Sequence, residues 1–311
     1  RMALGQAYLA LEDASAGLNQ RGKSPLGKNI GVFIGIAPQP SSPHKGSTET
    51  DDARLSSVYD ATSGAPSVAA GRISFVLGLE GPCMSFDTAC SSSLVAMHSA
   101  RRSLQHGECE AAVVIGVNAL TAGGFAVTAV AGMLSPDGVC HTFDERANGY
   151  CRAEGCVALV LKPLDKALAD GDKIYSVVHG SAVAQDGKSA SLTAPNGVSQ
   201  ARVINAALRD AQIDAHDVAY LESHGTGTGL GDPIEIGAVK SAYGEARAPY
   251  NPLVVGGLKA NIGHTETAAG ICGVLAATLT LQHREAAPNA QLQTMNPKLP
   301  VDWSVELPTK A

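Results

Sequence analysis

A cysteine and two histidines stand out because each sits where a predicted strand gives way to a loop or helix. Cys90 closes the run MSFDTAC (84–90) and is followed by Ser91-Ser92-Ser93 at the start of a helical pattern. A thiol there faces unpaired backbone N–H groups and the positive end of the helix dipole, which favours a thiolate. Buried cysteines are, however, mostly inert core residues, so this placement alone does not decide a role. His224 lies in Glu222-Ser223-His224-Gly225-Thr226-Gly227-Thr228-Gly229-Leu230-Gly231-Asp232-Pro233, at a strand end before a glycine-rich loop, with Pro233 in the first turn of the next helix. The loop is not a dinucleotide fingerprint. Counted from Gly225 the third glycine of G-x-G-x-x-G falls on Leu230, and counted from Gly227 it falls on Asp232. It reads instead as a tight strand–helix turn, or as a loop whose Thr226 and Thr228 hydroxyls bond the amides of a slender arm. His264 sits in Gly257-Leu258-Lys259-Ala260-Asn261-Ile262-Gly263-His264-Thr265-Glu266, again at a strand end before a long helix. Alone it would be a cap or a core residue. Three such residues at strand ends in an α/β pattern point to an active site, because open α/β sheets gather ligands there.

The elements that must position these residues follow from periodicity and turn signals. Strands are predicted at 29–37, 84–90, 111–117 and 156–161, with a helix over 91–105. The second half continues with a strand at 174–183, a helix at 198–211, a strand at 217–223, a helix at 232–243, a strand at 253–258 and a helix at 265–283. The Pro/Ser/His/Gly-rich stretch 38–48 reads as a mobile loop, and Ser135-Pro136-Asp137-Gly138 as a turn. Alternating strands and helices indicate α/β. The charged region Lys162–Lys173 is the expected seam, dividing 1–162, with the cysteine, from 163–311, with both histidines.

Composition excludes several functions. The 311 residues are 45% hydrophobic with a formal net charge of −6, so no basic stripe for a phosphate backbone is present and no nucleic-acid partner is expected. No apolar run reaches the roughly 18 residues needed to span a bilayer, and no membrane partner is expected. Seven cysteines, odd in number and scattered along a long chain, fit a reducing compartment, cytoplasmic or an organellar stroma. Cys151 and Cys156 lack a second pair at zinc spacing, and no metal is expected. Arg1 falls inside a helical pattern (Met2, Leu4, Ala7, Leu9, Leu11) with no cap ahead of it, so the chain reads as a cut piece whose targeting segment is not legible.

Asp87-Thr88-Ala89-Cys90-Ser91-Ser92-Ser93-Leu94, His224-Gly-Thr-Gly-Thr with Gly-Asp-Pro-Ile-Glu, and Lys259-Ala-Asn-Ile-Gly-His264 resemble, in order and spacing, the three signature motifs of modular type I polyketide ketosynthases. The similarity extends over Pro136–Tyr150 and Glu154–Cys156, and so along nearly the whole chain. It implies a thiolase-like α/β fold, layered αβαβα from two similar halves. It also implies decarboxylative Claisen condensation. Cys90 would hold an acyl chain as a thioester, while His224 and His264 hydrogen-bond a malonyl-type extender and stabilise its enolate. Lys259 and Glu235 would pair as catalytic support, Asp232 would belong to the same polar support, and Thr226, Thr228 and Asn261 would contact substrate. The domain itself would bind no cofactor. The phosphopantetheine arm of an acyl carrier protein would deliver the substrate, a homodimer would form through the strand before Cys90, and other synthase domains would share the polypeptide.

Some features depart from the family pattern. About a hundred residues expected before this stretch, and a Gly-Phe-Gly-Gly-type turn expected after Val301–Leu307, lie outside it, so the piece alone is expected to be inactive or misfolded, with Cys90 N–H supplying half of an oxyanion hole. Ser223 replaces a common alanine and Ala153 a common glycine. The rival readings are a fatty acid synthase condensing enzyme, a thiolase-like acyltransferase, and a non-catalytic ketosynthase-like partner. The thiolase-like rival would carry a second cysteine beyond Cys272, and the non-catalytic partner usually loses its cysteine.

Overall fold

Apolar runs bounded by glycine and proline become strands, and amphipathic or small-residue runs become helices. The computed structural model describes residues 1–19, 27–38, 62, 64–189, 191, 194–244 and 247–310; beyond residue 38, the loop expected over 38–48 lies outside them. The elements are α1 (Met2–Asn19), β1 (Ile30–Gly35), α2 (Pro66–Leu77), β2 (Cys83–Phe86), α3 (Ser92–Gln105), β3 (Ala111–Asn118), α4 (Ala122–Val130), β4 (Gly155–Leu161), α5 (Leu164–Asp170), α6 (Gly197–Ala211), β5 (Tyr220–Glu222), α7 (Gly231–Tyr243), β6 (Leu253–Gly256), α8 (Lys259–Ile262), α9 (Ala269–His283) and β7 (Val305–Glu306). Among the described residues no helix is long and apolar enough to cross a membrane.

Two compact units emerge. One comprises Arg1–Ala131, Ala153–Ile174 and Thr265–Cys272; the other comprises Gly132–Arg152, Tyr175–His264 and Gly273–Ala311. Both are discontinuous in sequence, unlike the contiguous division at Lys162–Lys173. Segment Thr265–Cys272 joins the first unit because Thr267 Oγ1 donates to the Val117 carbonyl (2.5 Å) and Ile271 N–H donates to Ser93 Oγ (3.1 Å). Hydrogen bonds spanning 150 and 178 residues leave no local trace in the sequence.

In the first unit the sheet runs β2-β1-β3-β4, with β1 parallel to β2 and β3, and β4 antiparallel to β3. Strands β1 and β3 are buried along their whole length, which requires a continuous apolar run rather than alternation. Val32, Ile34, Val113 and Ile115 form its core with Ala7, Ala70 and Ile73. Each fully buried aliphatic side chain contributes about 1.5–3 kcal/mol. Strand β2 is the sheet edge, with Cys83 and Met84 exposed. The charged seam expected at Lys162–Lys173 contains helix α5, and Lys162 Nζ binds Asp170 and Asp172, each at 2.6 Å.

In the second unit β5, β6 and β7 form a parallel sheet in that order. Phe143, Ile236, Val239, Leu253 and Val255 pack into its core. Asn196 caps α6 by accepting from Val198 N–H (3.2 Å) and Ser199 N–H (3.3 Å). The Ser135–Gly138 turn forms as expected, closed by Gly138 N–H to the Ser135 carbonyl at 3.2 Å. The strand expected at 174–183 does not form. Its β-branched residues are right for a strand, but the segment is held by side chains: Gln282 to the Tyr175 carbonyl (3.2 Å) and Ser181 N–H to Asp210 (2.9 Å). A strand exists only where a neighbour completes its ladder.

Candidate active site

Cys90 emerges from a turn that is shorter and sharper than the expected strand-into-helix junction. Strand β2 ends at Phe86, and Ala89 adopts φ 55°, left-handed geometry that a residue with a Cβ resists by about 1–3 kcal/mol. Neighbouring polar side chains hold it there. Asp87 Oδ1 accepts from Ala89 N–H (3.2 Å), Ser92 Oγ donates to the Ala89 carbonyl (2.6 Å) and accepts from Thr88 N–H (2.9 Å), and Ser91 Oγ donates to the Thr88 carbonyl (2.9 Å). Helix α3 starts at Ser92, so the thiol stands one residue before the N-cap, Ser91, and is partly exposed. Glycines let this turn approach the sheet. A Cβ on Gly35 would lie 2.5 Å from Ser93 N, and one on Gly116 would lie 2.9 Å from Ser93 Cβ.

In the second unit His224 and His264 face each other edge to face, with ring centroids 5.5 Å apart at 90°, and Tyr150 meets His264 at 5.1 Å and 61°. His264 is buried, and its backbone N–H donates to the Cys151 carbonyl at 2.7 Å. Burial first, then the Lys259 charge, the neighbouring His224 ring and the Arg152 charge, pushes its pKa from 6.5 down to about 2. His224 keeps an open edge but is crowded by protein, and desolvation followed by the Lys259 charge likewise lowers its pKa. Both rings are therefore neutral near pH 7, and each carries one N–H to donate.

Lys259 is buried, and its charge acts on both histidines and on Glu222 and Glu235. Glu235, expected to pair with Lys259, commits its two oxygens to backbone N–H groups of His224 (2.6 Å) and Gly225 (2.8 Å), and it meets Lys259 through the field rather than through a hydrogen bond. Asp232 accepts from Phe143 N–H (2.9 Å) and Gly227 N–H (3.1 Å), and burial raises its pKa to about 6. Thr226 is buried, its hydroxyl 3.4 Å from that of Thr228, which also accepts from Gly231 N–H (3.1 Å). Asn261 is exposed and bridges the Pro288 carbonyl (3.0 Å) and Ala290 N–H (3.2 Å). Beneath the loop, a Cβ on Gly227 would fall 2.7 Å from His141 N, so backbone lies directly against backbone.

The N-terminal domain of the β-ketoacyl synthase family matches residues 1–167, and its C-terminal domain matches 175–293. The chain belongs to the β-ketoacyl synthase family. It is 43% identical over 312 residues to 6-methylsalicylic acid synthase of Aspergillus niger, covering 97% of this chain and 17% of that protein. It is also 43% identical over 304 residues to erythronolide synthase EryA3 of Saccharopolyspora erythraea, covering 96% of this chain and 9% of that protein. The ketosynthase from module 6 of the bacillaene synthase of Bacillus subtilis 168 superposes with a TM-score of 0.85 at 36% identity, over 100% of this chain and 52% of that one. This ketosynthase chain thus spans about half the length of that solved relative and a small part of the curated ones. Its fold is the thiolase-like α/β fold of polyketide ketosynthases.

Several residues of the ketosynthase site escape motif reading. In the sequence Glu222 merely opens the His224 motif, yet its carboxylate accepts from Leu258 N–H at 2.8 Å. Its position two residues before His224, at the end of a strand, is the one local signal. Tyr150 closes a matched stretch but gives no hint that its ring meets His264. Ser223, in place of a common alanine, donates its hydroxyl to the Gly256 carbonyl at 2.6 Å, tying β5 to β6.

Proposed function

We propose that the chain carries out decarboxylative condensation in polyketide synthesis, with Cys90 as nucleophile and His224 and His264 as hydrogen-bond donors. The observation that carries this reading is the pair of neutral imidazoles 5.5 Å apart, a polarising arrangement for a thioester carbonyl. Cys90 sulfur attacks an acyl thioester and the delivering thiol leaves, giving acyl-Cys90. A malonyl-type extender then loses its carboxylate as carbon dioxide. The electron pair stays as an enolate, whose oxygen is held by the two imidazole N–H groups. The enolate carbon attacks the acyl carbonyl, the carbon–sulfur bond breaks with release of the Cys90 thiolate, and a β-ketoacyl product two carbons longer remains on the extender thioester.

Lys259, with Glu222 and Glu235 opposing its charge, fixes the field around the histidines. The extender arrives on the phosphopantetheine arm of an acyl carrier protein, with Thr226, Thr228 and Asn261 along the path of the arm. The relatives are large synthases, and neighbouring catalytic domains in the same polypeptide follow from that likeness. Edge strand β2 supplies the surface for a homodimer, since an exposed strand edge is a template for pairing.

Intact-mass spectrometry of the full-length protein after incubation with an acyl thioester tests the first step. Wild type gains the acyl mass and Cys90→Ala does not. Carbon dioxide release from a malonyl thioester tests the second step and disappears in His224→Ala or His264→Ala. Undiminished gain of the acyl mass by Cys90→Ala, or undiminished decarboxylation in both histidine variants, overturns the mechanism.

A further inference from the structure

Within the second unit, one half-buried carboxylate joins the two segments that carry the histidines. Tyr220 and Glu222 point to the same face of β5, as residues two apart in a strand do. The Tyr220 hydroxyl donates to Glu222 Oε2 at 2.5 Å, and Thr280 makes a further side-chain hydrogen bond to Tyr220. The other oxygen, Oε1, accepts from Leu258 N–H at 2.8 Å, across 36 residues of sequence. Leu258 precedes Lys259, which opens α8, and His264 follows that short helix. On the β5 side, His224 is two residues beyond Glu222.

The surroundings leave space for this pair. A Cβ on Gly256, which lies opposite Glu222 in the β5–β6 ladder, would stand 2.8 Å from Tyr220 Cζ and 3.0 Å from Glu222 Oε2. A Cβ on Gly273 would stand 3.2 Å from Glu222 Cγ. Two glycines thus vacate the volume that the tyrosine–glutamate pair fills.

We propose that Glu222, braced by Tyr220, is a positioning residue that fixes the Lys259–His264 turn against the strand end bearing His224, and so sets the spacing of the two imidazoles for decarboxylation. The inference rests on the proposed role of the histidines. Its electrostatic setting is consistent: burial pushes the Glu222 carboxyl above the usual carboxylate range, while the Tyr220 hydroxyl, the Leu258 amide and the Lys259 charge oppose that shift.

The test compares Glu222→Ala, Glu222→Gln and Tyr220→Phe in the full-length protein, reading Cys90 acylation and malonyl decarboxylation separately. Glu222→Ala is expected to slow decarboxylation at least about tenfold with acylation within about twofold of wild type. Glu222→Gln restores decarboxylation to within about threefold, because its amide oxygen still accepts from Leu258. Tyr220→Phe falls between the two. His264→Ala runs alongside: if it too leaves decarboxylation intact, the histidine mechanism itself is wrong. If His264→Ala abolishes decarboxylation while Glu222→Ala leaves it unchanged, or slows both half-reactions equally without rescue by Glu222→Gln, the positioning role is overturned on its own.

Discussion

The turn that presents Cys90 and the pair that presents His224 and His264 are built on different principles. Around Cys90, Asp87, Thr88, Ser91 and Ser92 hold the strained Ala89 through hydrogen bonds between residues two to four apart. Around the histidines, the bonds that fix geometry reach much further: Glu235 to His224 N–H over 11 residues, Glu222 to Leu258 N–H over 36, and His264 N–H to Cys151. In the proposed mechanism the nucleophile needs one aimed atom, and a local turn can aim it. In the same mechanism, two donors sharing one developing charge need a fixed mutual distance, which acceptors reaching between segments impose.

This contrast predicts a graded set of responses. The largest is His264→Ala, expected to lower malonyl decarboxylation about 10²-fold, roughly 3 kcal/mol of lost oxyanion stabilisation, while acylation of Cys90 proceeds; a parallel loss of acylation would show that the two regions are not separable. Glu235→Ala deprives the His224 and Gly225 amides of their acceptor and is expected to cost about 2 kcal/mol in urea denaturation.

Acidification is expected to weaken the histidine region. The His264 pKa is lowered in the fold, so below about 6.5 the unfolded chain binds the extra proton, and stability declines by up to about 1.4 kcal/mol per pH unit. Asp232, raised to about 6, acts oppositely: the fold retains its proton longer, and its contribution is lost as pH rises from about 3.8 through 6. Thermal melts of wild type and His264→Gln between pH 7 and 5 would separate these slopes, with the variant expected to lose less stability on acidification. The smallest response belongs to the local turn. Ser92→Ala removes two short-range hydrogen bonds and is expected to cost about 1 kcal/mol, with slower acylation and decarboxylation per folded molecule unchanged. A larger effect on decarboxylation than on acylation would erase the distinction between the regions.

Much of this architecture was legible beforehand. The apolar runs at 111–117 and 156–161 became β3 and β4, the helix expected at 91–105 became α3, and 198–211 and 232–243 became α6 and α7 to within a residue. The strand expected at 174–183 was not, because β-branched composition states a preference and not the presence of a partner. Helices α2 and α4 were missed: both are rich in Ala, Gly and Val, with no polar face to give a period.

By itself the sequence determined the family, the three motif residues and the alternation of strands and helices, since these are written in contiguous stretches where type and spacing carry the signal. Tertiary structure alone decided that Glu235 binds amides rather than Lys259, that Glu222 reaches Leu258, and that Thr265–Cys272 packs with β3. Each of these depends on a carboxylate or hydroxyl meeting a backbone group brought near by folding, and any residue supplies such a group, so no pattern of side chains announces it in advance.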